Sequence, residues 1–233
     1  MQAQSLENVF ARSWSLLAAN PVILIPGIVV GIGVGVMNFI MLPPIDYTSA
    51  STLMVGLAFG AIVMAAVGIL AYLITQTYTV GMAGAAWQRG TATLADGARS
   101  FSQDAGRLLI AVLLLAAIGI IVGLVTFGLG WLVFLFFALY TIPAVVIGGL
   151  SPIAALQQSF SIATKRFVST ILIVLMLFVI SIVVGLLALP LHVVPLLGPL
   201  IAAILTQAVV VYSTLVVVGE FLIVRESPDI AAL

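Results

Sequence analysis

The 233-residue chain has no cysteine, a single histidine, and only seven basic and seven acidic side chains. The first absence excludes disulfides, thiolate metal sites and cysteine nucleophiles together. With His192 as the lone imidazole, a metal centre would have to be built almost wholly from carboxylates, so no metal or other cofactor is expected. Charged residues make up 6% of the chain, where a soluble domain carries about a quarter. So few charges cannot cover a water-facing surface, whereas a surface facing lipid tails needs none. The seven Lys and Arg are scattered rather than clustered, which argues against nucleic acid as a partner.

What the chain has instead is hydrophobic length: 64% of its residues are apolar. A helix needs about 20 mainly apolar residues to cross a bilayer. Six runs qualify: Pro21 to Leu42, Leu53 to about Thr79, Leu108 to Phe127, Trp131 to Gly149, Phe167 to Leu189, and Leu200 to Val224. The first is longer than a signal-peptide core and no small-residue cleavage site follows it, so it reads as a retained span. Pro43-Pro44, the turn Gly128-Leu129-Gly130, and Pro190, Pro195 and Pro199 mark joints between runs. The second run continues to Trp87, longer than a bilayer requires. Arg12, Arg89, Arg99, Arg107, Lys165, Arg166 and Arg225 all fall on one side of this arrangement, while the opposite loops hold Asp46 and His192 but no Lys or Arg. The positive-inside rule then places the basic side, with both termini, in the cytoplasm of an inner-membrane protein. Trp14 and Trp87 fall at the cytoplasmic boundary and Trp131 at the outer one.

Three basic segments share a pattern: Arg12-Ser13-Trp14-Ser15, Arg99-Ser100-Phe101-Ser102 and Gln158-Ser159-Phe160-Ser161. Six residues after each aromatic stands a polar residue, Asn20, Arg107 or Arg166. The even-numbered spans echo one another through Tyr78-Thr79, Tyr140-Thr141 and Tyr212-Ser213. The fold expected is therefore an all-α polytopic membrane protein, a single domain of six transmembrane helices in three hairpin units, about residues 5–87, 92–149 and 151–225. Each hairpin is preceded by a cytoplasmic amphipathic in-plane helix. Leu94, Ala98, Phe101, Ala105 and Leu108 form one apolar stripe, and Ile153, Leu156, Phe160, Ala163 and Phe167 another. Trp14, Phe101 and Phe160 are the expected interfacial anchors.

Glu220 sits inside the last span between Gly219 and Phe221. An intramembrane carboxylate is a functional candidate, for instance a proton carrier, but Arg225 lies five residues on, and an interfacial ion pair is the favoured reading. Tyr78, Tyr140 and Tyr212, with Gln76, Thr206 and Gln207, could line a polar path; interhelical hydrogen bonds worth about 1 kcal/mol or less each account for them too. Gly27, Gly31 and Gly35, Gly56 and Gly60, and Gly119 and Gly123 recur at four-residue spacing, which suits close helix packing. Gly31 to Gly35 is not a nucleotide loop, since no strand precedes it. Asp46 and His192 read as solvated loop residues. No Ser–His–Asp arrangement, carboxylate pair or phosphate-gripping loop emerges, and no catalytic activity is expected.

The stretch from Tyr140 through Pro143, Pro152, Ala155-Leu156 and Ser159-Phe160 to Phe167 resembles a signature of bacterial six-helix membrane proteins. These are similar to the membrane domain that precedes the catalytic barrel in some glycerophosphodiester phosphodiesterases, and the region Phe10 to Pro26 looks like the family's opening. The resemblance implies a six-span fold at the cell membrane. The barrel and its metal-binding acids are absent, so it implies no hydrolase activity. The leading expectation is a non-enzymatic scaffold or accessory subunit that contacts membrane lipids and packs with itself or with other membrane subunits. The alternative is a small-solute or ion transporter with a polar path between the three units, and a membrane-embedded enzyme comes third.

The topology is testable by labelling. Single cysteines introduced as Thr48→Cys and Val193→Cys should react with an impermeant thiol reagent on intact cells, while Thr91→Cys and Thr164→Cys should react only after permeabilisation. The reverse pattern would invert the orientation.

Overall fold

The computed structural model describes residues 6–41, 50–127, 129–193 and 197–225, with side chains over the same ranges apart from 34–35, 37–41, 50–66, 129, 131–132, 192–193 and 199. Every regular element among the described residues is helical: α1 (Leu6–Ala19), α2 (Ile25–Met41), α3 (Ala50–Arg89), α4 (Leu94–Val125), α5 (Leu129–Ala138), α6 (Thr141–Val146), α7 (Pro152–Lys165), α8 (Phe167–Ala188) and α9 (Leu197–Arg225). Short 3-10 turns, Pro21–Leu24 and Leu189–Val193, join α1 to α2 and α8 to α9.

Among the described residues, three helical stretches are long and apolar enough to cross a membrane: Leu94–Val125, Phe167–Leu191 and Leu200–Arg225. The first apolar run follows a right-angled entry, with α1 and the segment Pro21–Gly33 meeting at 92°. Pro21 lacks an N–H and disfavours helix at the residue before it. Asn20 accordingly leaves the helix at φ −130°, ψ 65°. Its side chain then ties the corner down, donating to the carbonyls of Leu16 and Gly90 at 3.0 and 3.1 Å and accepting from the Ala92 N–H at 2.9 Å.

Two elements depart from the sequence expectation. The second amphipathic segment is not a separate helix: it runs without a break into the third apolar run as the 32-residue α4, about 48 Å long. Where Asn20-Pro21 turns the first copy and the non-helical Arg166 (φ −112°, ψ 39°) turns the third, Gly106-Arg107-Leu108 offers neither a proline nor a capping side chain. The helix starts instead at a capping box between Thr93 and Asp96, and Asp96 also pairs with Arg89 at 2.7 Å. The fourth apolar run, conversely, is broken at Leu139-Tyr140 into α5 and α6. Pro143 causes this, because in a continuous helix its ring would strike the carbonyl of Leu139, four residues back. The turn between α4 and α5 places its left-handed residue at Phe127 (φ 52°), one position before the expected glycine turn, and leaves that ring 98% exposed.

The even-numbered runs meet at the centre: α3 contacts α9, and α6 contacts both. The odd-numbered ones stand outside them, α2 against α3 and α9, α4 against α3, α5 and α6, and α8 against α9 and α5. Burial is concentrated at the end where the arginines lie. Met82, Ala86, Tyr140, Val145, Leu215 and Phe221 are all buried there, with α1, the start of α4, and α7 packed around them. Towards the other end α4 and α8 turn Ile120, Leu124, Phe178 and Leu187 outward, the pattern of a surface in contact with lipid.

A glycine contrast tests this packing. A Cβ at Gly219 would fall inside the Trp87 ring, whereas one at Gly123 meets nothing within 4 Å. Gly219→Ala should lower the melting temperature of the detergent-solubilised protein, through overpacking of about 1–3 kcal/mol. Gly123→Ala should leave it unchanged or raise it, by up to about 1 kcal/mol of helix propensity.

Candidate functional site

The three Tyr-hydroxyl pairs lie on the central helices at the arginine-bearing end, where each meets a Ser-aromatic turn from a different amphipathic segment. On α9, Tyr212 packs edge-on against Trp14 of α1 with centroids 6.1 Å apart, and its hydroxyl donates to the Phe10 carbonyl at 3.3 Å. On α3, Tyr78 packs against Phe101 of α4 at 5.6 Å. Gly97 makes room for it, since a Cβ there would come within 2.6 Å of Tyr78 Cδ1. Between α5 and α7 the contact is Phe137 stacked on Phe160 at 4.5 Å. Tyr140 is fully buried, and its hydroxyl shares a 3.2 Å hydrogen bond with Thr170 of α8. The hydroxyls of Thr79 and Thr141 are buried without a hydrogen-bond partner.

Ser159 closes the broken run. Its hydroxyl donates to the Phe137 carbonyl at 2.6 Å and accepts from the Tyr140 N–H at 3.0 Å, supplying a partner to each of two backbone groups that the break between α5 and α6 strands. The corresponding serines serve otherwise. Ser100 fills the notch above Gly81, where a Cβ would collide with it, and the Ser13 hydroxyl is buried unpaired.

Cations cap the helix C-termini at this end. Arg12 donates to the Trp87 carbonyl at 3.1 Å and lies over the Trp87 ring at 4.4 Å, while the Trp87 indole donates to the Leu215 carbonyl at 2.9 Å. Arg107 reaches the carbonyl of Gly149 at 3.4 Å and also pairs with Asp104. Arg225 donates to the Ile147 carbonyl at 3.3 Å.

That last bond corrects the reading of Glu220, which is 4% exposed and forms no ion pair with Arg225 among the described residues. Five residues put the two side chains about 140° apart around the helix, so one turns inward as the other turns to α6. Arg166, at the head of α8, is the cation whose field reaches Glu220, and Tyr140 in turn feels the carboxylate. Tyr140 bonds to Thr170, whereas Tyr212 and Tyr78 belong to other contacts.

Gln207 lies elsewhere, on the wall of a hollow shared with Gln76, Thr75 and Tyr72, between α2, α3 and α9. Gly27 and Gly31 do allow close approach there: Cβ atoms on them would meet Gln207 Cβ at 3.3 Å and Cγ at 3.1 Å. Gly119 is buried, Gly123 faces open space, and the surroundings of Gly35, Gly56 and Gly60 lie outside the described residues, as do Asp46 and the side chain of His192. A larger cavity of about 760 Å³ adjoins, bounded by α3, α4, α5, α8 and α9 and lined almost entirely by apolar groups such as Phe134, Leu135, Ala138 and Phe178. No sequence pattern pointed to it, because its walls are ordinary aliphatic and aromatic span residues. Among the described residues no group of three or more His, Asp or Glu could hold a metal ion.

The role of Ser159 predicts a specific defect. Ser159→Ala leaves the buried Tyr140 N–H and the part-buried Phe137 carbonyl without their hydroxyl partner, at about 1–3 kcal/mol for the buried group and less for the other. It should lower thermal stability and speed amide exchange of residues 137–144, whereas Ser102→Ala, an exposed serine bonded only to its own helix, should do neither. No family model, curated protein or solved structure matches this chain, so the resemblance of the Tyr140–Phe167 region to six-helix membrane proteins rests on those residues alone.

Proposed function

We propose that the chain is a six-span cell-membrane protein of three hairpin units with both termini in the cytoplasm, related to the six-helix family it resembles, and that it acts as a non-enzymatic scaffold or accessory subunit. The observation that carries this reading is the cyclic docking of the Ser-aromatic turns. The first unit's turn sits on the third unit's second helix (Trp14 on Tyr212), the second unit's on the first (Phe101 on Tyr78), and the third unit's on the second (Phe160 on Phe137). Contacts that close in a ring are what a pseudo-threefold axis along the membrane normal requires. The polar followers agree, since Asn20 and Arg107 bind the carbonyls of Gly90 and Gly149, two left-handed glycines that each lie just beyond their own unit's second helix. Such a ring makes a stiff platform at the membrane surface, and its Asn20, Arg107 and Ser159 are taken up in backbone capping rather than poised for chemistry.

The transporter reading with a tyrosine-lined path has less support, because the Tyr140 and Tyr212 hydroxyls are engaged in interhelical bonds. The buried Glu220 is the feature that favours it. Glu220→Gln should leave solute and ion flux in proteoliposomes at the level of empty vesicles and should not alter growth; a Glu220-dependent flux would select the transporter reading.

In mild detergent the protein should run on native mass measurement as a complex larger than one 24.3 kDa chain, and a lone monomer under all mild conditions would count against the scaffold reading. Phe101→Asp or Phe160→Asp places a carboxylate where a ring meets its partner, and either should destabilise the ring by about 2 kcal/mol or more and dissociate that complex. Gln103→Glu, on the exposed face of the same segment, should be silent.

A further inference from the structure

We propose that the apolar cavity between α3, α4, α5, α8 and α9 is a binding site for a long-chain lipid with an uncharged hydrogen-bonding group, taken up laterally from the bilayer. This goes beyond the scaffold reading and stands whether or not that reading holds.

The first argument is what can fill the space. At about 760 Å³ the cavity lies within the range of about 300–1,000 Å³ typical of small-molecule sites. Apolar walls do not retain water, and an empty void would cost the lining its dispersion contacts. Leu135 of α5 and Phe178 of α8 line the cavity and are also exposed, so its mouth opens between these helices toward the surroundings of the bundle. Around an apolar helix bundle those surroundings are alkyl chains.

The second argument concerns the inner end. A smaller hollow of about 210 Å³ shares Leu139, Leu177, Ser181 and Ser213 with the cavity, and shares Gln76 and Val210 with the hollow bounded by Thr75 and Gln207. Thr75 lines that last hollow and is 3% exposed, and its hydroxyl, buried beneath the surface of the hollow, has no hydrogen-bond partner among the described residues. An orphaned hydroxyl flanked by two carboxamides, at the end of a series of apolar spaces, suits a guest that brings a polar group of its own. Among the described residues, no Lys, Arg, His, Asp or Glu lines any of the three spaces. By helical rise, Gln76 lies about 20 Å from Arg89, deep in a hydrocarbon core about 30 Å thick. An anionic or cationic head would be unpaired there, so the guest's polar group is a hydroxyl or a carbonyl.

The test uses the full chain in nanodiscs and a diazirine-tagged hexadecanol. Photolabelling should fall on residues 134–142 and 174–181, and untagged hexadecanol should compete about five-fold better than hexadecane, the factor expected of one net hydrogen bond. Thr75→Val combined with Gln76→Leu should abolish that preference while leaving a diazirine-tagged hexadecane bound as before. Ala138→Phe and Ser181→Phe, which fill the cavity from opposite walls, should each cut labelling at least ten-fold, with melting temperature identifying a variant that fails to fold. Labelling spread evenly over the outer faces of α4 and α8, or undiminished by both filling variants, would reduce the guest to annular lipid and overturn the site. Stronger competition by hexadecyl phosphate, or a hexadecanol preference that survives the Thr75/Gln76 change, would overturn the uncharged polar end.

Discussion

Lipid removes the force that folds soluble proteins, and the rest of this structure depends on how the chain replaces it. Hydrocarbon around a helix is as apolar as leucine, so burying one span against another gains little from desolvation. Association must come from close packing, from hydrogen bonds, and from the interface, where amphipathic segments meet water. The chain concentrates all three at one end. Trp87 sits in the notch of Gly219 and donates to α9, Arg12 lies over it, and Asn20 ties the corner of α1 to the loop after α3. Towards the other end, α4 and α8 face outward.

The broken fourth run shows the same economy applied to a backbone fault. Pro143 makes a continuous helix impossible, and a broken helix in a membrane is tolerated only where its freed groups find partners in the protein. Ser159 on α7 provides two of them, so an amphipathic segment that could have been a surface anchor also completes the fourth run. Phe160 beside it stacks on Phe137, holding the serine in register. Leu139 and Ile142, on either side of the break, line the large cavity, which places the fault and the empty space side by side.

Much of this was legible in the sequence because periodicity and composition respond to the lipid environment directly. The apolar stripes and the Ser-aromatic turns marked the amphipathic elements, and the shared spacing singled out Asn20 and Arg107, though not the carbonyls they bind; Pro43-Pro44 and Pro195 lie outside the described residues. Where the reading missed, a competing local rule decided. A stripe shows that a segment is amphipathic but not whether the helix bends after it; Pro21 marks the first bend and Gly106-Arg107 has no such breaker, but no residue type distinguishes Arg166, where the third copy turns, from Arg107, where the second does not. Pro143 was the available sign of the break in the fourth run, though hydropathy alone reads straight through it. The Glu220–Arg225 pairing failed because separation along the chain was weighed without angular position. The cavity left no trace at all, since a void is a property of how side chains fail to meet and no residue type encodes it.

The packed end and the cavity that adjoins it are connected by mechanics. Helices joined only by short loops and surrounded by lipid could close any gap between them by tilting a few degrees, so a cavity persists only if tilt is resisted elsewhere. The ring of docked aromatics supplies that resistance on each of the three central helices. On α3, Trp87 is fixed about 22 Å of helical rise from Tyr72 at the cavity. On α6 and α9 the anchors are nearer, since Leu139 and Ser213 line the cavity next to Tyr140 and Tyr212, so the space begins directly beside the packed layer that holds its walls in place. A guest in the cavity would therefore add its dispersion contacts to a bundle whose spacing is already fixed, without the cost of pushing the helices apart.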